Sequence, residues 1–150
     1  MCNERRTEEL GEKDTKTLES ELLTNENLIG FIEQNKAELY AKSVPEFLNE
    51  MLIKYDTEKN EVLRRADMAG NYGYQIFDGS RNAGRDKLLK LAFGFPLTKE
   101  ETDILLRCAG YAALYVRDSR DTLIMYALHQ GYNLMEMNHL LFERGEKIFE

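Results

Sequence analysis

NEVLRRADMAGNYGYQIFDGSR, residues 60–81, is the stretch on which the reading of the fold turns. Val62, Leu63 and Ala66 have the spacing of one short helix, and Gly73, Ile76 and Phe77 that of a second. Asp67-Met68-Ala69 lies between them as a tight turn, and Asp78-Gly79 ends the second helix.

The flanks supply a frame for this pair. Upstream, Ser43-Val44-Pro45-Glu46 has a capping residue, a first-turn proline and a glutamate three residues on. Val44, Phe47, Leu48, Met51 and Leu52 then form one apolar stripe, predicting a helix that packs behind the pair. Thr57 is the expected cap of the next helix, which runs to about Ala66. Downstream, the loop SRNAG leads to a helix over residues 85–93, with Leu88, Leu91 and Ala92 inward and Gly94 as its stop. Thr98 and Glu101 make a second capping box, opening a helix with Ile104, Leu105 and Cys108 inside and Gly110 at its end. Residues 43–110 are thus expected to form a five-helix body with the pair as its second and third members.

Residues 1–16 lack apolar periodicity and read as a mobile polar tail. Residues 17–42 read as a helical extension, with Thr24-Asn25 and Gly30 as interruptions. Beyond the body, residues 111–150 read as an aromatic loop and a helical hairpin packed on the body. Asp118 or Ser119 caps the first hairpin helix, which stops before Gly131, and Asn133 with Glu136 opens the second, which ends at Gly145. Tyr111 and Tyr115 are expected to clamp the hairpin onto the body.

Composition narrows the function. Only two prolines occur and strand-like runs are absent, so the expected class is all-α. No apolar run approaches the roughly 20 residues of a membrane span, and the polar start is not a signal peptide, so a soluble, cytoplasmic protein is expected. Cys2 and Cys108 form no disulfide framework and read as reduced thiols. His129 and His139 make no metal-ligand spacing with Cys108 or the carboxylates, and no nucleophile–base arrangement occurs, so neither metal, cofactor nor catalysis is expected. Arg117-Asp118-Ser119-Arg120-Asp121 reads as capping and dipole complementarity at a helix start.

The formal net charge is −7, which opposes contact with phosphates. The distribution differs from the total. Residues 59–90 carry Lys59, Arg64, Arg65, Arg81, Arg85, Lys87 and Lys90 against Glu61, Asp67, Asp78 and Asp86, a net of +3. That net-positive segment coincides with the helix pair, whose layout is that of a helix-turn-helix, the motif that places its second helix in the DNA major groove.

A five-helix body with this motif at helices two and three resembles the lambda-repressor-like (Cro-type, XRE) helix-turn-helix family. The family's pattern runs from Ala66 to Arg81, with Asp67 at the turn glycine, Ala69 at the Ser/Thr cap and Phe77 where an acid or amide is usual. The tail over residues 105–146 looks like a Firmicutes subgroup in which an aromatic loop and hairpin follow the motif. The resemblance implies a DNA-binding transcription regulator, a homodimer acting on double-stranded DNA. It places the base-facing positions on Gly70, Asn71 and Gln75, with Tyr74 on the same outward face. Gly70 has no side chain to read a base, but its amide would approach a phosphate, and Arg81, Lys59 and Arg85 are the expected backbone contacts. The alternative is a degenerate helix-turn-helix that serves as a protein-interaction module, presenting Tyr72, Tyr74 and Phe77 to a protein partner.

Overall fold

The computed structural model describes residues 14–24, 27–34 and 42–150. The chain divides into two compact units, Met1–Ala41 and Lys42–Glu150. Among the described residues there are nine helices and no strand, and none of the helices is long and apolar enough to cross a membrane.

In the first unit, α1 spans Thr15–Thr24 and α2 spans Leu28–Gln34. Asp14 accepts the Thr17 amide at 2.7 Å, so a capped helix starts inside the stretch expected to be tail; residues 1–13, Cys2 included, lie outside the described residues. Asn27 accepts the Gly30 amide at 3.1 Å and so caps α2. Gly30 therefore sits within that helix and does not interrupt it.

The second unit holds α3 (Val44–Lys54), α4 (Lys59–Arg65), α5 (Gly70–Asp78), α6 (Arg85–Gly94), α7 (Lys99–Cys108), α8 (Ser119–Gln130) and α9 (Leu134–Glu143). Capping boxes at Ser43, Thr98 and Asn133 start α3, α7 and α9, and the Asp118 carboxylate starts α8. Each satisfies amides that a helix start leaves without intrahelical partners. Thr57 does not cap α4. That position belongs to Glu58, whose side chain makes no cap bond, while the Thr57 hydroxyl accepts from Arg65 at 3.1 Å.

α6 is the centre of the unit. Its residues 88–94 are all buried, including Leu89, Lys90 and Phe93, beyond the single inward face expected from spacing. It packs against α4, α7 and α9, and a helix covered from several sides must be enclosed all round. Gly94 continues this helix and does not stop it through a left-handed residue. A Cβ there would lie 2.6 Å from the Val62 carbonyl oxygen and 3.2 Å from Ala66 Cβ, so this glycine lets α6 approach the α4 backbone. The core runs on without a break from Phe47 and Leu48 of α3 to Met137 and Leu141 of α9 and to Phe149.

Tyr111 does tie the loop inward, its hydroxyl donating to Ala83 O at 3.3 Å. The Tyr115 ring does not; it stands in solvent, while its main chain engages, the N–H donating to Asp121 at 3.0 Å and the carbonyl accepting the Asp118 amide at 3.0 Å. The hairpin is held instead by two reciprocal ion pairs. Arg85 meets Asp121 at 2.8 Å, and Arg120 meets both oxygens of Asp86 at 2.9 and 3.2 Å.

Candidate nucleic-acid interface

The candidate site is built on α5 and the turn before it. Asp67 adopts φ +50 and Met68 donates its amide to Leu63 O at 3.0 Å, which reverses the chain between α4 and α5 without a glycine. α5 then buries Gly73, Ile76 and Phe77. A Cβ on Gly73 would lie within 2.6 Å of Leu63 Cδ1, so close contact between α4 and α5 depends on its absence. Gly79, at φ +88, ends α5 and donates to Gln75 O at 3.1 Å. Neither the Ala69 cap position nor the first turn of α5 has a side chain bonding its free amides.

This packing sorts the expected contact residues. Gly70, Asn71 and Tyr74 are exposed, with Tyr74 at 44%. Gln75 is half-buried, and its side-chain oxygen accepts from Arg81 Nε at 2.8 Å. Arg81 also lies with its guanidinium carbon 4.8 Å from the Tyr72 ring centroid, and Lys87 Nζ is 5.8 Å from the same centroid. The structure thus gathers Gln75, Arg81, Tyr72 and Lys87 into one cluster beside the exposed face of α5. Lys59 Nζ lies 5.6 Å from the Phe77 ring centroid. Bonding from Ser80, with Lys59 acting in the same direction, holds the Asp78 carboxyl below its ordinary range.

Arg85 is half-exposed, and its guanidinium meets the buried Asp121 carboxylate of α8 at 2.8 Å. One expectation is corrected here. Phe77 cannot be presented to a protein partner, since it is 1% exposed and its ring centroid lies 6.4 Å from that of Phe95. The aromatic at that position is a core residue.

Lys87 was not singled out as a contact by spacing, because it reaches the Tyr72 ring of α5 only through the folded position of α6. Lys90 was missed for the same reason. Its ammonium is enclosed and donates to Asp67 O at 3.0 Å, so burial, with Lys87 adding to it, lowers its pKa.

Among the described residues no group of three His, Cys, Asp or Glu side chains could hold a metal ion. Cys108 is free and half-buried, and burial pushes its thiol pKa up. No known protein family, curated protein or solved structure matches the chain.

Proposed function

We propose that this chain is a DNA-binding transcription regulator in which α4, the Asp67 turn and α5 act as a helix-turn-helix, within a five-helix body of the lambda-repressor-like kind. The observation that carries the reading is the division of α5: Gly73, Ile76 and Phe77 occupy its buried side, while Asn71 and Tyr74 are exposed. An amide side chain at Asn71 can donate to and accept from adenine, and Gln75 retains its NH2 to donate to a base acceptor while Arg81 holds its oxygen. Arg81, stacked on Tyr72, supplies a phosphate contact, with Lys59 and the Gly70 amide as further backbone contacts. A homodimer on a two-fold symmetric duplex site is the arrangement such a motif uses.

The test is binding of the purified chain to a pool of duplexes at low ionic strength, followed by selection of bound sequences. Retention that falls steeply with salt, together with an enriched short motif, is the expected result. No retention of any duplex at low salt overturns the reading.

One observation favours a second reading, a protein-interaction module. Much of the positive charge is engaged internally, since Arg64 pairs with Glu61, Arg85 with Asp121 and Arg120 with Asp86. On that reading Tyr72 and Tyr74 face a protein, and the chain passes through a heparin column unretained.

A further inference from the structure

Lys90 joins two parts of the second unit that are far apart in sequence. Its ammonium donates to Asp67 O at 3.0 Å and to Glu150 O at 2.8 Å. The first acceptor belongs to the left-handed residue of the turn that starts α5. The second belongs to the segment after α9, which is firmly seated. Phe149 is 3% exposed, its ring centroid 6.3 Å from that of Phe93 and 4.8 Å from the Arg120 guanidinium carbon. Asn138 accepts the Phe149 amide at 2.8 Å and donates to its carbonyl at 3.1 Å, as a neighbouring strand would. Lys87 also donates to Glu150 O, at 3.0 Å.

A buried ammonium is tolerated only when its protons are shared with acceptors. Here the named acceptors are the Asp67 carbonyl and a main-chain oxygen of Glu150, and each depends on a different element. If the segment after α9 leaves, one acceptor is lost and the space it filled opens to water. A lysine on a flexible stem then follows its charge toward water. The Asp67 carbonyl loses its donor, and the left-handed turn loses the bond that offsets its cost.

We infer that Lys90 is a positioning residue through which the segment 146–150 governs the turn that presents α5. With Phe149 seated, the turn is held and α5 is presented in one orientation. With Phe149 released, the turn opens and α5 frays from its start. The coupling itself is independent of what α5 binds; its consequence for duplex affinity rests on the function proposed above.

The test uses the full chain carrying Asn138→Ala, Lys90→Met or both. The readout is amide hydrogen exchange at Met68, bonded to Leu63 O, and Gly73, bonded to Ala69 O, with Thr102 of α7 as reference. Each single variant is expected to speed exchange at Met68 and Gly73 on the order of tenfold, leaving Thr102 unchanged. The double variant is expected to exchange no faster at Met68 than Lys90→Met alone, since the two act through one bond. Faster exchange confined to residues 146–150, or equal acceleration at Thr102, overturns the inference, as does additivity in the double variant. If Lys90→Met does not fold, Asn138→Ala read at Met68 against Thr102 decides. Asn138→Ala should also weaken duplex binding several-fold. If the unsubstituted chain binds no duplex, the proposed function fails and the exchange result still stands or falls alone.

Discussion

Arg85 and Asp121 meet at 2.8 Å, and their sequence neighbours Asp86 and Arg120 meet at 2.9 Å with the charges reversed. The first turn of α6 and the first turn of α8 are therefore locked by two oppositely directed ion pairs. Asp121 is the buried member, and it also accepts the Tyr115 amide. Its carboxylate is stabilising only while both donors stay in place.

Arg85→Ala should destabilise the chain by about 2 kcal/mol, because it leaves a buried carboxylate with only a neutral donor. Denaturant unfolding with an unchanged slope is the measurement. The same variant should leave the salt dependence of duplex binding as it was, since the Arg85 guanidinium is engaged by Asp121. A reduced salt slope would return it to the phosphate contacts.

Gly94→Ala should cost more than Gly73→Ala. At Gly94 the new methyl meets the Val62 carbonyl, which the α4 hydrogen bonds hold in place. At Gly73 it meets the end of the Leu63 side chain, which can rotate, and the gain in helix propensity of about 1 kcal/mol offsets part of the strain. Overpacking of this kind costs about 1–3 kcal/mol. Thermal unfolding of the two variants side by side checks the order, and a Gly73→Ala protein less stable than Gly94→Ala contradicts it.

Glu101 makes an acid-sensitive contribution. Burial favours its neutral form, but hydrogen bonds from Lys54, the Thr98 amide and the Tyr55 hydroxyl outweigh burial and hold its pKa below 4.5. A carboxyl with a lowered folded-state pKa adds stability that is complete above the unfolded value. That stability is lost as pH falls through the folded one. Stability of the unsubstituted chain should therefore drop more steeply below about pH 4.5 than that of Glu101→Gln. Parallel acid limbs for the two proteins would remove Glu101 from the account.

On duplex DNA, Arg81→Ala should weaken all sequences alike and lower the slope of log affinity against log salt by about 1. Asn71→Ala should instead relax preference at one base pair, a loss of about 1–3 kcal/mol of discrimination. Binding titrations at several salt concentrations separate the two effects. Equal behaviour of the two variants would deny Asn71 a reading role.

The helix order was legible because local chemistry writes it. Ser43 with Glu46, Thr98 with Glu101 and Asn133 with Glu136 are capping boxes recognisable three residues apart, and Gly79, Gly110, Gly131 and Gly145 adopt the positive φ expected where a helix ends. Thr57 and Gly94 misled for the opposite reason. Each matches a local signal, but Thr57 is engaged by Arg65 and Gly94 by the closeness of α4, and neither neighbour is visible in the surrounding residues. Phe77 has the spacing of the apolar side with Gly73 and Ile76, and its burial against Phe95 removes it from the aromatics that the protein-interaction alternative would present.

The candidate face divides in the same way. The sequence alone determined that residues 70–78 form a helix with Gly73, Ile76 and Phe77 on one side and Asn71 and Tyr74 on another, because a 3.6-residue repeat assigns sides without reference to partners. Only the tertiary structure decided where the nearby cations go. Arg81 and Lys87 join Tyr72, Arg85 turns to Asp121, and Lys90 goes inward to Asp67 and Glu150. A long cationic side chain can reach several places from one backbone position. Its destination is set by which carboxylate, ring or carbonyl the packed helices bring within range.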